Sequence, residues 1–527
     1  MMRILVSDRI ADKGIEKLRS IQRFSVDVMP DISHEELMRR IGDYDALVVR
    51  SRTRVTREVI EAGSNLKVIG RAGVGVDNID VDAATSRGII VLNAPEGNTI
   101  SAAEHTIAMM MALARNIPQA HQALKSRIWK REAFMGTELY DKTLGLIGLG
   151  RIGREVAKRA SAMHMRVVAY DPFLAPESGE GIGVALSSLS DVLSGADFLT
   201  IHCPLTRETR HLIGDREFAM MKDGVRLVNC ARGGIVDEEA LYKAILSGKV
   251  AGAALDVFEE EPPLKSPLLD LDCVIVTPHL GASTEEAQVN VAVNIAEQVA
   301  HALLGEPFRN AVNVPFIRPE AMAAVKPYMP LAEKLGRLAT QLCGAGIRTL
   351  RVTYGGAIAE HDTRPLTATL LKGLLSPIMT IDVNFVNAPF LSRERGIKVV
   401  EAKDMAVEDF TSLITVEVTT DGKSTTVAGT LFGTNDPRIV RIDEYHVDAI
   451  ASGHLLVIPH IDKPGVIGPV GMVLGRNGIN IASMHVGRKD IGGRALMLLG
   501  VDSPVPQHVL REILNVDGVA DVKPVEL

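Results

Sequence analysis

The sequence predicts an α/β protein of two doubly wound parallel-sheet domains, followed by an α+β domain and a terminal βαββαβ unit. Three observations carry that expectation. Short apolar runs alternate with helical stretches twice over, from Ile4 to Leu92 and again from Leu144 to Val276, as buried parallel strands covered on both faces require. At 527 residues the chain is too long for one core, and domains of about 100–200 residues suggest three or four. The pattern then changes after Pro315 and again near residue 453.

In the first series, Ile4–Ser7, Ala46–Val49, Val68–Gly70 and Ile89–Leu92 read as strands, with helices at His34–Ile41 and Asp80–Arg87. Asn98 or Thr99 can cap a longer helix. Its segment Ile107–Ala114 is apolar all round and so belongs in the interior, with the methionines as flexible filler. The second series places strands at Gly145–Ile147, Val167–Tyr170, Phe198–Ile201, Leu227–Val228, Gly252–Leu255 and Val274–Val276. A long helix from Ser283 to Leu303 can return the chain to the first domain.

Pro319, Pro327 and Pro330 read as a linker. Beyond them, strand signals stand at Thr349–Tyr354, Ser412–Thr419 and Ile439–Ile442. The end of the chain reads as strand Leu455–Ile458, helix Val466–Asn477, strands Ile481–Gly487 and Ala495–Val501, helix Pro506–Ile513 and strand Val519–Val522. The domain boundaries follow: 1–97 with 291–315, then 98–290, 316–452 and 453–527.

Hydrophobic residues make up 46% and charged residues 23%, a globular usage that excludes disorder for most of the chain. Lys and Arg total 58 against 65 Asp and Glu, a net charge of −7 that argues against nucleic-acid or anionic-membrane partners. Cys203, Cys230, Cys273 and Cys343 form no CxxC pair and no metal-ligand spacing, so no metal is expected and a reducing cytoplasmic compartment fits. The N-terminus carries no apolar signal segment, and no run of about 18 apolar residues could span a membrane.

Gly148, Gly150 and Gly153 form GxGxxG between an apolar strand and an amphipathic helix. That context turns a weak motif into a Rossmann dinucleotide site: a tight turn, close backbone approach to pyrophosphate, and free amides at a helix N-terminus. Asp171 ends the next strand, 18 residues past Gly153. A carboxylate there accepts ribose hydroxyls and repels a 2′-phosphate, which favours NAD. Further on, Arg232 follows one strand, Glu261 sits in Glu259-Glu260-Glu261-Pro262 after another, and His279 lies in Pro278-His279-Leu280-Gly281 after a third. Oxidising an alcohol needs a base, a cation for the carboxylate and carbonyl oxygen, and a hydride acceptor. A guanidinium holds a carboxylate by two parallel bonds, and ligands of open α/β sheets gather at these strand ends.

These motifs resemble the D-isomer-specific 2-hydroxyacid dehydrogenase family over residues 1 to about 315. The resemblance implies His279 as general base, Glu261 as the carboxylate that favours its imidazolium, and Arg232 as the carboxylate and carbonyl anchor. It makes 98–290 the NAD-binding Rossmann domain and 1–97 with 291–315 the substrate-binding domain. Cofactor contacts are implied at Gly148, Gly150, Arg151, Ile152, Gly153, Asp171, Cys203, Cys230, Ala231, Arg232, Asp256, His279, Leu280, Gly281, Ala282 and the backbone of Val74. Asp256 would stand near the nicotinamide, and Cys203 would line the cleft without acting as a nucleophile. Arg50 and Arg52, in Arg50-Ser51-Arg52-Thr53-Arg54, match anion-binding positions, while Gly73 and Asn98 match other substrate-cleft positions.

The terminal unit, with His460-Ile461-Asp462-Lys463-Pro464-Gly465 and Asn480, resembles an ACT domain, a small amino-acid-binding module. His460, Asp462 and Asn480 match positions that hold effector L-serine across a pair of such domains. An intervening domain plus an ACT tail is similar to the long branch of the family, which oxidises 3-phosphoglycerate with NAD in serine biosynthesis and assembles as homotetramers. In the intervening domain His446 matches an anion-binding histidine, but Ile450 stands where an arginine would be needed, with Arg441 as a possible substitute. Two other readings stay open: a dehydrogenase of glycerate, glyoxylate or lactate, and a binding protein that senses NADH or an amino acid.

Overall fold

The computed structural model describes residues 1–315, 319–344, 346–407, 409–433 and 435–527. Five parallel strands make the first sheet: β1 (Met2–Val6), β2 (Phe24–Val28), β3 (Ala46–Val49), β4 (Val68–Arg71) and β5 (Ile90–Leu92), in the order β2-β1-β3-β4-β5. β3 is apolar without interruption and buried throughout because helices cover both faces. β2 had no apolar run to announce it: Phe24-Ser25-Val26-Asp27-Val28 is a half-buried edge.

Seven parallel strands make the second sheet: β6 (Thr143–Ile147), β7 (Arg166–Tyr170), β8 (Ala185–Leu186), β9 (Phe198–Ile201), β10 (Val225–Asn229), β11 (Val250–Leu255) and β12 (Val274–Val276). Their order is β12-β11-β10-β9-β6-β7-β8, so the crevice opens between β6 and β9, where the winding reverses. The helix Thr99–Ala114 enters this domain and Glu285–Leu304 leaves it. The latter is continuous through the boundary expected at 290 and buries Val291, Ile295, Ala296 and Val299 against the first sheet. The two crossings touch at Gly97, where a Cβ would lie 2.4 Å from Val291 Cγ2, so only glycine lets them run side by side.

The boundary drawn at 316 falls on residues outside those described. The linker expected around the prolines is corrected: helix Pro319–Val325, a 3₁₀ turn Lys326–Tyr328 and helix Met329–Cys343 follow directly. Pro327 and Pro330 stand in the first turns, where a missing N–H removes no helical bond. The third sheet holds β13 (Thr349–Gly356), β14 (Lys398–Asp404), β15 (Ser412–Thr419), β16 (Ser424–Phe432), β17 (Asp436–Ile442) and β18 (Tyr445–Ile450), ordered β14-β13-β15-β16-β17-β18. This domain docks on the first: Asn384 Nδ2 donates to the Gly88 carbonyl at 2.9 Å, Asn387 Nδ2 to that of Ser86 at 3.5 Å, and buried Val386 joins the first-domain core.

The last sheet is antiparallel: β19 (His454–Ile461), β20 (Ile481–Arg488), β21 (Arg494–Val501) and β22 (Lys523–Glu526), ordered β20-β21-β19-β22. The final strand begins at Lys523 rather than Val519, because Val519 makes only an isolated bridge to His460 before the chain turns into the ladder with β19. Among the described residues no helix is long and apolar enough to cross a membrane.

Candidate active site

The nucleotide cradle lies between β6 and the helix Arg151–Ala162. Gly148 turns at φ 93°, and a Cβ there would stand 2.8 Å from the Cys203 amide nitrogen. A Cβ at Gly153 would come to 2.2 Å of the Gly148 carbonyl oxygen, the contact that presses helix onto strand. At Gly150 a Cβ would meet nothing within 4 Å, so the helix N-terminus opens onto space for a pyrophosphate. Asp171 Oδ2 accepts from Leu149 N at 2.9 Å and Oδ1 from Phe173 N at 3.0 Å. Each oxygen keeps a lone pair for a ribose hydroxyl. These residues fit NAD. Arg151 lies 3.5 Å from Glu96 across the domain junction, beside half-buried Ile152. Burial raises the Cys203 thiol to about 11, with Asp171 adding to it, and the Cys230 thiol to about 12, with Asp256 adding to it, so neither is a nucleophile near neutral pH.

His279 and Glu261 meet on the far side of the crevice: Nδ1 is 2.9 Å from Oε2 and 3.2 Å from Oε1. Burial works to raise the Glu261 carboxyl, but the hydrogen bond and charge of His279 outweigh it and leave it below the ordinary range. His279 has φ 54°, a left-handed conformation that a non-glycine residue holds only when its surroundings impose it. They do so here through Asp256. This fully buried carboxylate accepts from Thr277 Oγ1 at 2.6 Å, Leu280 N at 2.7 Å and Gly281 N at 2.8 Å, while His279 N donates to its carbonyl at 2.9 Å. The Asp256 oxygens, expected to stand near the nicotinamide, are engaged by the loop 277–281 and hold it in place. Ala282 O, next along, accepts from Gln288 Nε2 at 2.8 Å.

Arg232 follows Ala231, whose carbonyl accepts from Arg232 Nη1 at 2.7 Å. The arginine crosses the cleft to the first domain, with Nε 3.2 Å from Asp77 Oδ2. Gly75 makes room for it: a Cβ there would sit 2.0 Å from Arg232 Nη2. Val74, claimed only through its backbone, gives its carbonyl to Asn93 Nδ2 at 2.6 Å. Asn98 occupies the N-cap position of the helix Thr99–Ala114 but makes no capping bond; its Oδ1 is buried without a partner and is free for a ligand.

Arg50 lines an open groove of about 580 Å³ with Ser283, Thr284, Glu285, Gln288 and Val289. Burial lowers its guanidinium and Asp8 opposes that shift. Arg52 does not join it. Its Nη1 pairs with Asp31 Oδ1 at 3.0 Å on the surface, because the chain bends over residues 51–53 and does not keep the extended alternation that would set Arg52 on the face of Arg50. The cation that does join the cleft is Arg71, at the end of β4. Burial brings it down to about 10, helped by the charge of Arg232, and its Nε is buried without a partner. The space Arg71 occupies is left by Gly73, whose Cβ would stand 1.5 Å from Nη1. A cation at the carboxyl end of a parallel strand was the signal that could have marked it.

In the terminal domain His460 is buried, with Nδ1 3.3 Å from the Ile458 carbonyl. Asp462 pairs with Arg488 at 3.4 Å, and Asn480 Nδ2 donates to Asp502 at 2.8 Å. One chain does not bring the three together: His460 aligns with Ala495 and Ile481 with Val501, at opposite ends of β21. Among the described residues no group of three or more His, Cys, Asp or Glu is arranged for a metal ion.

Residues 107–281 match the NAD binding domain of D-isomer specific 2-hydroxyacid dehydrogenases, 324–443 the D-3-phosphoglycerate dehydrogenase intervening domain, and 454–518 the ACT domain. The chain is 51% identical to a D-3-phosphoglycerate dehydrogenase of Archaeoglobus fulgidus over 100% of both chains. It is 48% identical to one of Synechocystis over 100% of this chain and 95% of that one. Among solved structures, D-lactate dehydrogenase from Aquifex aeolicus, complexed with NAD and lactic acid, superposes with a TM-score of 0.53 at 30% identity, covering 59% of this chain and 99% of that one.

Proposed function

We infer the reaction from one premise: the chain belongs to the D-3-phosphoglycerate dehydrogenase family of D-isomer specific 2-hydroxyacid dehydrogenases, and is an NAD-dependent oxidoreductase. The substrate is 3-phospho-D-glycerate and the product 3-phosphooxypyruvate. One observation carries that choice. Three guanidiniums, those of Arg50, Arg71 and Arg232, share one cleft, and the Nε of Arg71 is an orphaned buried donor. A lone carboxylate needs one such fork; a substrate with a carboxylate at one end and a phosphate at the other uses all three.

In oxidation the imidazole of His279 takes the hydroxyl proton, and Glu261 holds the resulting imidazolium. Arg232 anchors the carboxylate and polarises the forming carbonyl, in place of its present contact with Asp77. Gly148, Gly150, Asp171 and the loop 279–282 hold NAD, which supplies the hydride acceptor.

The finer assignments rest on surfaces. Ile128, Trp129, Met135 and Tyr140 leave apolar side chains exposed over one stretch of chain, with Trp129 73% exposed, and a second copy would cover them. β20 is an outer strand exposed at Ala482–Met484. Pairing two β20 edges antiparallel would bring Asn480 of the partner subunit to the His460–Asp462 end of this one, a site for L-serine. With both contacts the assembly is a homotetramer. Four free cysteines suit a reducing cytoplasm.

NADH absorbance with full-length protein, NAD and 3-phosphoglycerate, with and without L-serine, tests the reading. Turnover that serine suppresses supports both parts. Turnover that serine leaves unchanged removes the effector assignment. Turnover with glycerate or lactate but not with 3-phosphoglycerate overturns the substrate, and none with any hydroxy acid leaves a binding protein.

A further inference from the structure

Ser101, His105 and Met109 stand four residues apart in the helix Thr99–Ala114 and so share one face. That face lies along the segment 277–284. Ser101 Oγ is 2.7 Å from Thr284 Oγ1, His105 Nε2 is 3.2 Å from Thr277 Oγ1 and 3.3 Å from Asp256 Oδ1, and Met109 Sδ is 3.9 Å from Thr277 Oγ1. Thr277 gives its hydroxyl hydrogen to Asp256, and a carboxylate can only accept. Both neighbours of Nε2 are therefore acceptors, and Nε2 carries the hydrogen. Among the described residues, His105 is the one side chain able to bear positive charge within 4.0 Å of the buried Asp256 carboxylate.

We propose that His105 is a positioning residue for the proton and hydride transfer: its Nε2–H fixes Asp256 and Thr277, and through them the loop that holds His279 in its left-handed conformation. The contact chain is short. His105 touches Asp256, and Asp256 takes the amides of Leu280 and Gly281, the two residues that follow His279, while its carbonyl accepts from His279 N. The proposal rests on His279 and Glu261 as the proton-transfer pair, so its test includes that pair.

The test compares His105→Leu, His105→Gln and His105→Asn in the full chain, with His279→Gln alongside. Steady-state kinetics, NADH binding by fluorescence and thermal melting are read for each. A loop mis-set by a fraction of an ångström should lower kcat about tenfold to a hundredfold in His105→Leu, with KM and NADH affinity within about threefold. The glutamine can return an N–H to the Nε2 position and is expected to restore kcat to within about threefold. The shorter asparagine should fall with leucine, and it keeps the comparison usable if leucine prevents folding. The proposal is overturned if His105→Leu keeps the parent kcat, or if glutamine does no better than asparagine at an equal melting temperature. If His279→Gln also keeps full activity, it is the catalytic pair that has been misassigned. If His279→Gln is inactive while His105→Leu is not, the positioning role alone fails.

Discussion

In the first domain a buried aspartate just past β1, Asp8, gathers the Arg50 loop: it accepts from Arg50 N at 2.6 Å, Thr53 N at 3.2 Å and Thr53 Oγ1 at 2.8 Å. In the second domain Asp256, just past β11, gathers the His279 loop through two amides and the Thr277 hydroxyl. The device is the same: a carboxylate with almost no solvent exposure, tolerable only because its oxygens are fully bonded. The difference lies in what each loop must do. The Arg50 loop presents a long, self-orienting cation at ordinary backbone angles, and Asn78 Nδ2 pins it by its Arg50 and Thr53 carbonyls at 2.8 and 2.6 Å. The His279 loop must hold a short side chain at positive φ against Glu261, and it has a histidine behind its aspartate. Anchoring a charge tolerates slack that proton transfer does not.

If that contrast is right, damage to the second loop appears in kcat and damage to the first in KM. The largest effect belongs to His279→Gln, which should lower kcat by about a thousandfold with NADH affinity retained. Asp256→Asn places an amide N–H₂ against donors it cannot accept from. It should lower kcat by about tenfold to a hundredfold and reduce unfolding free energy by about 1–3 kcal/mol, read from steady-state kinetics and denaturant titration. Asp8→Asn does the same to the anchor and should raise KM for 3-phosphoglycerate about tenfold, with kcat within a few-fold; a loss confined to kcat would erase the distinction between the loops. Acid stability offers a finer measure. The Glu261 carboxyl is held below its ordinary range in the folded protein, so its pairing stabilises the fold above the unfolded carboxylate value and is lost as pH falls through the folded one. Glu261→Gln should therefore lower stability near neutral pH, by a difference that vanishes at low pH, and so flatten the acid side of the melting profile. The smallest effect is Arg52→Ala: an exposed arginine paired to Asp31 should alter KM by less than about twofold.

What the sequence made legible was periodic or local. Parallel strands announce themselves by unbroken apolar runs, and the dinucleotide site by glycines at fixed spacing between a strand and a helix. Arg232, Glu261 and His279 could be drawn together because each ends a strand of one sheet. The features that escaped lack such a pattern. β2 and β14 are half-exposed edges with too few apolar residues to stand out. Arg52 looks like the twin of Arg50 until the loop turns it to the other side. His105 adjoins a run read as core, and the groups that give it a task, Asp256 and Thr277, lie far along the chain, the latter 172 residues away. Prolines suggested a linker because their other habit, opening a helix, leaves the same trace in sequence.

The docking of Val386 reaches beyond regulation. A side chain from the third domain completes the core of the first, and two asparagines cap the carbonyls of Ser86 and Gly88. The catalytic half, which alone has the length of the shorter solved relative, therefore shares part of its core with the third domain here. Cutting the chain after residue 315 would uncover an apolar socket and two unpaired carbonyls. The third domain is thus part of the packing of the first, and a change in either one alters the surface on which the other rests.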